Sequence, residues 1–496
     1  MNTNDLERAT SWSEQQLEQL FAGSADVQIQ TYRFGERDSS SGTMLIYSEG
    51  LCDSGEIVKT VLPALNRAYH ENGLQHLQNG RSFSSLPLIA LSENGQANAK
   101  DLMDAVYQGD LVISFLETGM LYKLNICHRP ERSPGESSTE ISIKGPKDGF
   151  VEDATINIAL IRKRIRSNTL CTETTILGRR TRTKIGLLYI SDIISSDILK
   201  EVRKRLKKID VDGIYSISQL EDALSDVKYS LFPLLDFTGR PDYAVASLLA
   251  GRFIIVIDGN PMVLIGPATF DLLLKSPEDM HFNFWYVSLT RLIRVISFWL
   301  AVLLPGFWVA LSAFHQDQFP FRFMATISVA RIGLPLSAQM EMFLLLMLLE
   351  IFREAGVRLP SSIGQTLTVV GGFIVGDAAI RAGLVSPAVV VVGSITAVSG
   401  ATLVNQSLGT VVSVMRLAVF LVSCVVGMFG FILSLILLLF YMSKLRSFGI
   451  PYLAPISPPV FKDFLKANFR LPWSKMTSRP QTLHTSDPDH QGDDSP

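Results

Sequence analysis

Apolar residues are distributed along this chain in two unlike ways. Up to about Glu278 they occur in short runs among charged and polar residues; from Val295 to Ser443 they form long stretches almost free of charge. The first pattern suits elements with one wet face and the second suits lipid, so two solvents are implied. Residues 295–316, VISFWLAVLLPGFWVALSAFHQ, carry no charge. At about 1.5 Å per residue they can cross a hydrocarbon core of roughly 30 Å. Pro305, near the middle, predicts a kink. Residues 417–443 form a second uncharged span. Between the two, 359–376 and 382–415 are uncharged but rich in Gly, Ala, Ser and Thr. The run 342–349, bracketed by Glu341 and Glu350, is too short to span and reads as an interfacial or partner-facing helix. Four spans are predicted, with room for six.

The first half reads as two small α/β subdomains. A helical lead covers 1–25, with ERATSWSEQQLEQLF amphipathic. In the first subdomain, 26–132, DVQIQTYRF and GTMLIYSEG read as strands, 55–69 as a helix, and 111–127 as two strands joined by Glu-Thr-Gly. ERSPGESSTE supplies a linker at 133–140. The second subdomain, 141–285, opens with a helix over 154–166 that ends in RKRIR. The strand IGLLYI, a helix over 196–208 and the strand candidate GIYSIS then suggest a β-α-β unit. FIIVIDGNPMVLIGP is a β-hairpin, because Asp258-Gly259 supplies the turn chemistry. The fold class is therefore a cytoplasmic α/β N-terminal region followed by an all-α polytopic membrane domain over 286–443. A basic cytoplasmic tail occupies 444–480, and 481–496 is polar, acidic and expected to be disordered.

Charge orients this arrangement. Arg291 and Arg294 precede the first span, and residues 442–480 carry seven Lys or Arg against Asp463 alone. Both flanks are then cytoplasmic, which requires an even number of crossings. The polar start predicts no cleavable signal peptide. A net charge of −2, without a basic stripe interleaved with aromatics, argues against nucleic acid as a partner. Cys52, Cys127, Cys171 and Cys424 have no metal or CxxC spacing and fit a reducing compartment. No P-loop, His-Glu-x-x-His or Gly-x-Ser-x-Gly motif is present, and the histidines are dispersed. No enzyme activity, metal or cofactor is expected. The clusters 162–166 and 179–184 read as solvated faces, with anionic headgroups as the other reading, and Glu278–Asp279 as a solvated pair.

Ionisable groups at membrane depth are costly, so they face a bundle interior, a pore or a partner. Glu341, Glu350, Asp377 and Asn405 are the candidate pore or polar-pathway residues. Asp377, directly after a glycine run, is the preferred one, whereas Arg416 reads as snorkelling at the base of the last helix. Gly372 and Gly376 form a small-xxx-small pair suited to helix packing.

Several local signatures then coincide in order: IKGPKDGF (143–150), ATINIALIRKRIR (154–166), RTRTKIGLLYI (180–190), GRFIIVIDGNPMVLIGP (251–267), SPED (276–279), REAGVRLP (353–360), GLVSPA (383–388) and LRSFGIPYLAPISP (445–458). In these the chain resembles the A subunits of the GerA family of spore germinant receptors, from about residue 30 to Lys475. The resemblance implies a subunit of the spore inner membrane, partnered by a transporter-like B subunit and a lipoprotein C subunit. It also implies a homo-oligomer of A subunits around an ion-conducting path that opens on nutrient binding. The stretch 315–339 departs from the family pattern, with Arg331-Ile332-Gly333-Leu334-Pro335 in place of a polar Arg-Glu-Gly turn. The alternative is a non-channel scaffold, or an accessory subunit like the stage V sporulation protein AF, clustering germination proteins. A secondary transporter ranks last, since 289–443 shows no inverted repeat.

Overall fold

The computed structural model describes residues 12–34, 41–72, 88–91, 98–116, 120–126, 140, 142–358 and 376–490. These fall into two compact units. The first comprises 1–228, 235–267 and 476–496, and the second 229–234 and 268–475.

The first unit holds two antiparallel five-stranded sheets. In one, β1 (Val27–Phe34), β2 (Ser41–Ser48), β4 (Asp110–Phe115) and β5 (Met120–Asn125) are neighbours, with the two-residue β3 (Ile89–Ala90) on the edge. The two-residue period of the strands sorts their side chains. Met44, Ile46 and Val112 pack with Leu17 of α1 (Glu14–Leu20) and with Leu102 and Val106 of α3 (Ala99–Gln108). Leu45, Tyr47, Leu111, Ile113 and Phe115 pack with Ile57, Val61 and, on α2 (Leu62–Asn72), Leu65. Both faces are covered, and so β4 is buried at every position rather than at alternate ones.

The second sheet runs β6 (Leu170–Leu177), β7 (Thr183–Ile190), β9 (Phe253–Ile257), β10 (Val263–Gly266), β8 (Asp236–Thr238). The β9–β10 hairpin pairs Val256 with Val263, and Gly259 takes a left-handed φ of 81° in its loop. Asp153 caps α4 (Ala154–Arg164) through Thr155 and Ile156 N–H groups. Helix α4 packs on α7 (Pro241–Leu249), and both lie on the sheet. Helix α5 (Ser196–Lys208) buries Ile198, Val202 and Leu206, spaced by four, and pairs with α6 (Ile217–Leu224).

Three expectations are corrected in this unit. GIYSIS is not a strand: Ser216 accepts the Ser218 N–H and starts α6 two residues earlier than an extended run allows. Among the described residues every strand pair of the sheet is antiparallel, so the expected parallel β-α-β crossover is not found there. The RKRIR cluster is not simply a solvated face. Arg162 is fully buried, holding Asp26 through two nitrogens at 3.1 and 3.0 Å and the carbonyls of Ser167 and Leu170. Nor is the chain disordered over 481–490, while 491–496 lie outside the described residues. Leu483 is buried, Ser486 donates to the Ile193 carbonyl, and Arg479 bonds the Leu249 carbonyl.

The second unit is helical. Helix α8 (Phe284–Val309) continues as one wider turn, Ala310–Phe314, and passes through Pro305. Then come α9 (Phe321–Ala330), α10 (Ala338–Arg358), a helical stretch 376–381, α11 (Pro387–Ala401), α12 (Gln406–Lys444) and α13 (Phe461–Asn468). Among the described residues, Phe284–Phe314 and Gln406–Lys444 are long and apolar enough to cross a membrane. The short run 342–349 is part of the 21-residue α10, so it is not an isolated interfacial element. The stretch 382–415 is interrupted at 402–405, where Asn405 accepts the Leu408 N–H and begins α12. The predicted span 359–376 lies almost wholly outside the described residues.

The last span is not one straight helix. Gly427 sits at φ 66°, ψ −142°, a conformation open essentially to glycine alone. A Cβ placed on Gly430 would lie 2.8 Å from the carbonyl oxygen of Val422. A continuous helix separates residues eight apart by a rise of about 12 Å, so α12 folds sharply at Gly427 into two arms, 406–426 and 428–444. Phe314 fills the notch at Gly427, and Phe307 stacks near Phe431 with centroids 5.4 Å apart.

Glu278 and Asp279 are likewise not a solvated pair. Asp279 is buried and bridges the first turns of α8, accepting from Arg291 at 3.1 Å and from Arg294 at 2.9 and 2.8 Å. Burial alone raises its carboxyl, but the Arg294 and Arg291 bonds outweigh it and hold the group below the ordinary carboxylate range.

Candidate functional site

Among the described residues the helices share an apolar core. Trp308 and Val309 of α8, Met342, Leu345 and Leu346 of α10, Val389 and Val392 of α11, and Phe420 of α12 pack together. Close helix approach occurs at Gly393, where a Cβ would meet Leu345 at 2.3 Å, and at Gly306, where it would meet Ser423 Oγ at 2.9 Å. Gly376 has only ordinary contact, with Val390 at 3.9 Å, and Gly372 lies outside the described residues.

Against this core stand the charged residues. Glu341, in the first turn of α10, is fully buried. Its Oε2 accepts the N–H of Ser386 at 2.9 Å, at the start of α11, where the helix dipole favours an anion. Its Oε1 lies 3.5 Å from the Arg331 guanidinium, beyond a good hydrogen bond. Nine residues on, Glu350 joins α10 to α12: its oxygens accept from Arg416 at 2.9 Å and Arg353 at 2.6 Å. Arg353 also reaches the Gly409 carbonyl at 3.0 Å, and Arg416 reaches Ser413 Oγ at 3.2 Å. Arg416 is therefore a buried partner of Glu350 rather than a snorkelling cation. Asp377 is half-exposed and paired with Arg381 at 2.8 Å, one turn along its own helix. Asn405 serves as the N-cap of α12. The structure thus brings Glu350 to Arg416, and leaves Glu341, Asp377 and Asn405 each in a separate setting.

Most small polar side chains of the bundle close on their own helix. Thr396 donates to Val392 O and Ser423 to Val419 O, both at 2.8 Å. A few do not. Trp308 Nε1, Ser312 Oγ and His315 Nδ1 are buried without a hydrogen-bond partner among the described residues, as is Glu341 Oε1. The first three lie close in sequence, at the end of α8 and along the wider turn that follows it. Each such atom costs about 1–3 kcal/mol when left dry. Sequence reasoning placed His315 at an interface and passed over Trp308 and Ser312. No local signal marks these atoms as buried, since the wider turn Ala310–Phe314 that lies between Trp308 and His315 has no plain apolar period. Among the described residues, no three His, Cys, Asp or Glu side chains come close enough to hold a metal ion.

Comparison with known proteins bears on this arrangement. Residues 15–482 match the family model described as Bacillus/Clostridium GerA spore germination protein. Spore germination protein XA of Bacillus anthracis is 39% identical over 97% of this chain and 98% of its own length. Spore germination protein KA of Bacillus subtilis is 33% identical, covering 95% of this chain and 86% of its own. A further Bacillus subtilis relative, the uncharacterized membrane protein YfkQ, is 34% identical over 93% of this chain and 89% of its own.

Proposed function

Because the chain belongs to the Bacillus/Clostridium GerA spore germination protein family, we propose that it acts in spore germination as the membrane subunit of a nutrient germinant receptor. In this reading the helical unit inserts in the spore inner membrane with its flanks cytoplasmic. The apolar length of α8 and the apolar composition of both arms of α12 support it, as do the outward apolar side chains of α12, such as Val425 and Phe429. Arg291 and Arg294 at the root of α8, and the cations after α12, agree with the orientation. A relative named as a membrane protein points the same way. The subunit works with a transporter-like B subunit and a lipoprotein C subunit. It has no catalytic role: it converts nutrient binding into ion flow through an oligomer of its own helices.

The observation that carries conduction is the group of buried polar atoms without hydrogen bonds, Trp308 Nε1, Ser312 Oγ and His315 Nδ1, together with Glu341 Oε1, which has only the long ion pair to Arg331. In hydrocarbon such atoms need water, an ion or a moving partner, and a hydrated path supplies all three. The Glu350–Arg416 bridge ties the helices beside that core and is the natural latch. Planar-bilayer recording of the reconstituted receptor tests the proposal. Conductance is expected from the wild type, with gating or selectivity altered in Glu341→Gln and Glu350→Gln and less changed in Asp377→Asn. If the receptor is silent while its three subunits still co-purify, the scaffold reading replaces the channel.

A further inference from the structure

We infer that α13 is a membrane-interface helix that seats its apolar face among anionic lipid headgroups; this rests on the membrane reading above. The face pattern of α13 is inverted for a helix docked on a protein. Its inward positions are Asp463 and Ala467, both buried, whereas Phe461, Phe464, Leu465 and Phe469 point outward. Phe461 is 78% exposed and Leu465 54%. On α13 the outward residues fall at i, i+3 and i+4, a single stripe, and Phe469, at its C-cap, adds a further exposed aromatic. A helix that turns its aromatics away from the protein needs an apolar occupant there.

Two further observations identify that occupant as the bilayer surface. One is continuity with the root of α8. Arg291 donates to the carbonyls of Lys466 and Ala467 at 3.3 and 3.2 Å, closing the C-terminal end of α13. Arg470, just beyond α13, clamps the carbonyls of Asp279, Met280 and Phe282. Ser288 Oγ accepts the Arg470 N–H at 3.1 Å. At that same level α8 turns Trp285, Tyr286, Leu289 and Leu292 outward, the aromatic-then-aliphatic order of a helix entering lipid. The other is charge. Between 444 and 475 the chain carries Lys444, Arg446, Lys462, Lys466, Arg470 and Lys475 against Asp463 alone, and Asp463 faces inward. Cations flanking an outward apolar stripe complement an anionic interface.

The test uses the full-length protein with its four cysteines replaced by alanine. It is reconstituted in phosphatidylglycerol-containing vesicles and labelled with an environment-sensitive fluorophore at Leu465→Cys, Val425→Cys or Lys200→Cys. Nitroxide lipids, labelled near the headgroup, are expected to quench the Leu465 site several-fold more than the Lys200 site, with iodide ineffective at Leu465. If Val425 is quenched by deep nitroxides while Leu465 behaves like Lys200, this inference fails and the membrane reading stands. If neither is quenched, both fail. If Leu465 labels on different copies quench one another without lipid quenching, a second copy covers the face and the inference is overturned.

Discussion

The buried pair Arg162–Asp26 gives the sharpest stability prediction. Both side chains are at most 4% exposed, and the guanidinium also lies 4.4 Å over the Tyr107 ring. Asp26→Ala strips the carboxylate and strands a buried cation on two carbonyls. Breaking such a pair costs about 3–5 kcal/mol. For a unit of this size about 2–4 °C follows each kcal/mol, so the midpoint should drop by about 6–20 °C. The double variant Asp26→Leu with Arg162→Met removes both charges and should recover part of the loss. Recovery is incomplete, because the carbonyls of Ser167 and Leu170 then lose their donor at about 1–3 kcal/mol each. Thermal proteolysis of the full-length protein in detergent, read on peptides from β1 and α4, measures Asp26→Ala, the double variant, and Asp26→Leu and Arg162→Met singly. High salt should leave the differences intact, since buried charges are poorly screened. A single-variant loss below about 1 kcal/mol, or losses that simply add within about 0.5 kcal/mol, would refute the reasoning.

Other outcomes follow from the same structure. Burial, and then the nearby Glu140 charge, push the Asp236 carboxyl up to about 7. The folded state thus keeps a proton that the unfolded chain releases near 4. That contribution is whole below about pH 4 and lost as pH rises through about 7. Thermal melts of the first unit should fall in midpoint from pH 5 to 8, and Asp236→Asn should flatten the slope. Gly427→Ala places a side chain at φ 66° against Phe314. It should cost about 1–3 kcal/mol in strain alone and lengthen spin-label distances between positions 422 and 431. Leu483→Ala should free the chain beyond 476, raising hydrogen exchange at Ser486, whose N–H now bonds Ile193 O.

How much of this was legible in the sequence differs by element. The hairpin at Asp258–Gly259 and the helix 196–208 announce themselves, because turn chemistry and a four-residue apolar period are local signals. The bend at Gly427 is not local. Within an uncharged stretch, a glycine that packs and a glycine that breaks look alike, and only the contact of Gly430 with Val422 decides. Arg162 misled for a related reason. Its partner Asp26 lies 136 residues away, so a basic run at the end of α4 reads as solvated until the fold supplies the acid. The tail after 476 has weak periodicity and a polar composition, yet one buried leucine and a few backbone bonds suffice to hold it.

Charge arithmetic in the helical unit narrows how such a bundle could conduct. Three acids were singled out there, and each has an arginine: Glu341 has Arg331, Asp377 has Arg381, and Glu350 has both Arg353 and Arg416. With an arginine beside each of them, these three acids offer little uncompensated negative charge to a cation. Cation selectivity therefore cannot come from these carboxylates while they are paired. If the bundle conducts cations as proposed, at least one pair must part, and Glu350–Arg416 is the candidate because it joins two different helices, whereas Asp377–Arg381 lies within one turn. Arg416 has a second partner in Ser413 on its own helix, and Arg353 keeps the Gly409 carbonyl. Both arginines thus have somewhere to go when Glu350 swings away, and the released carboxylate is then the charge that a cation would meet.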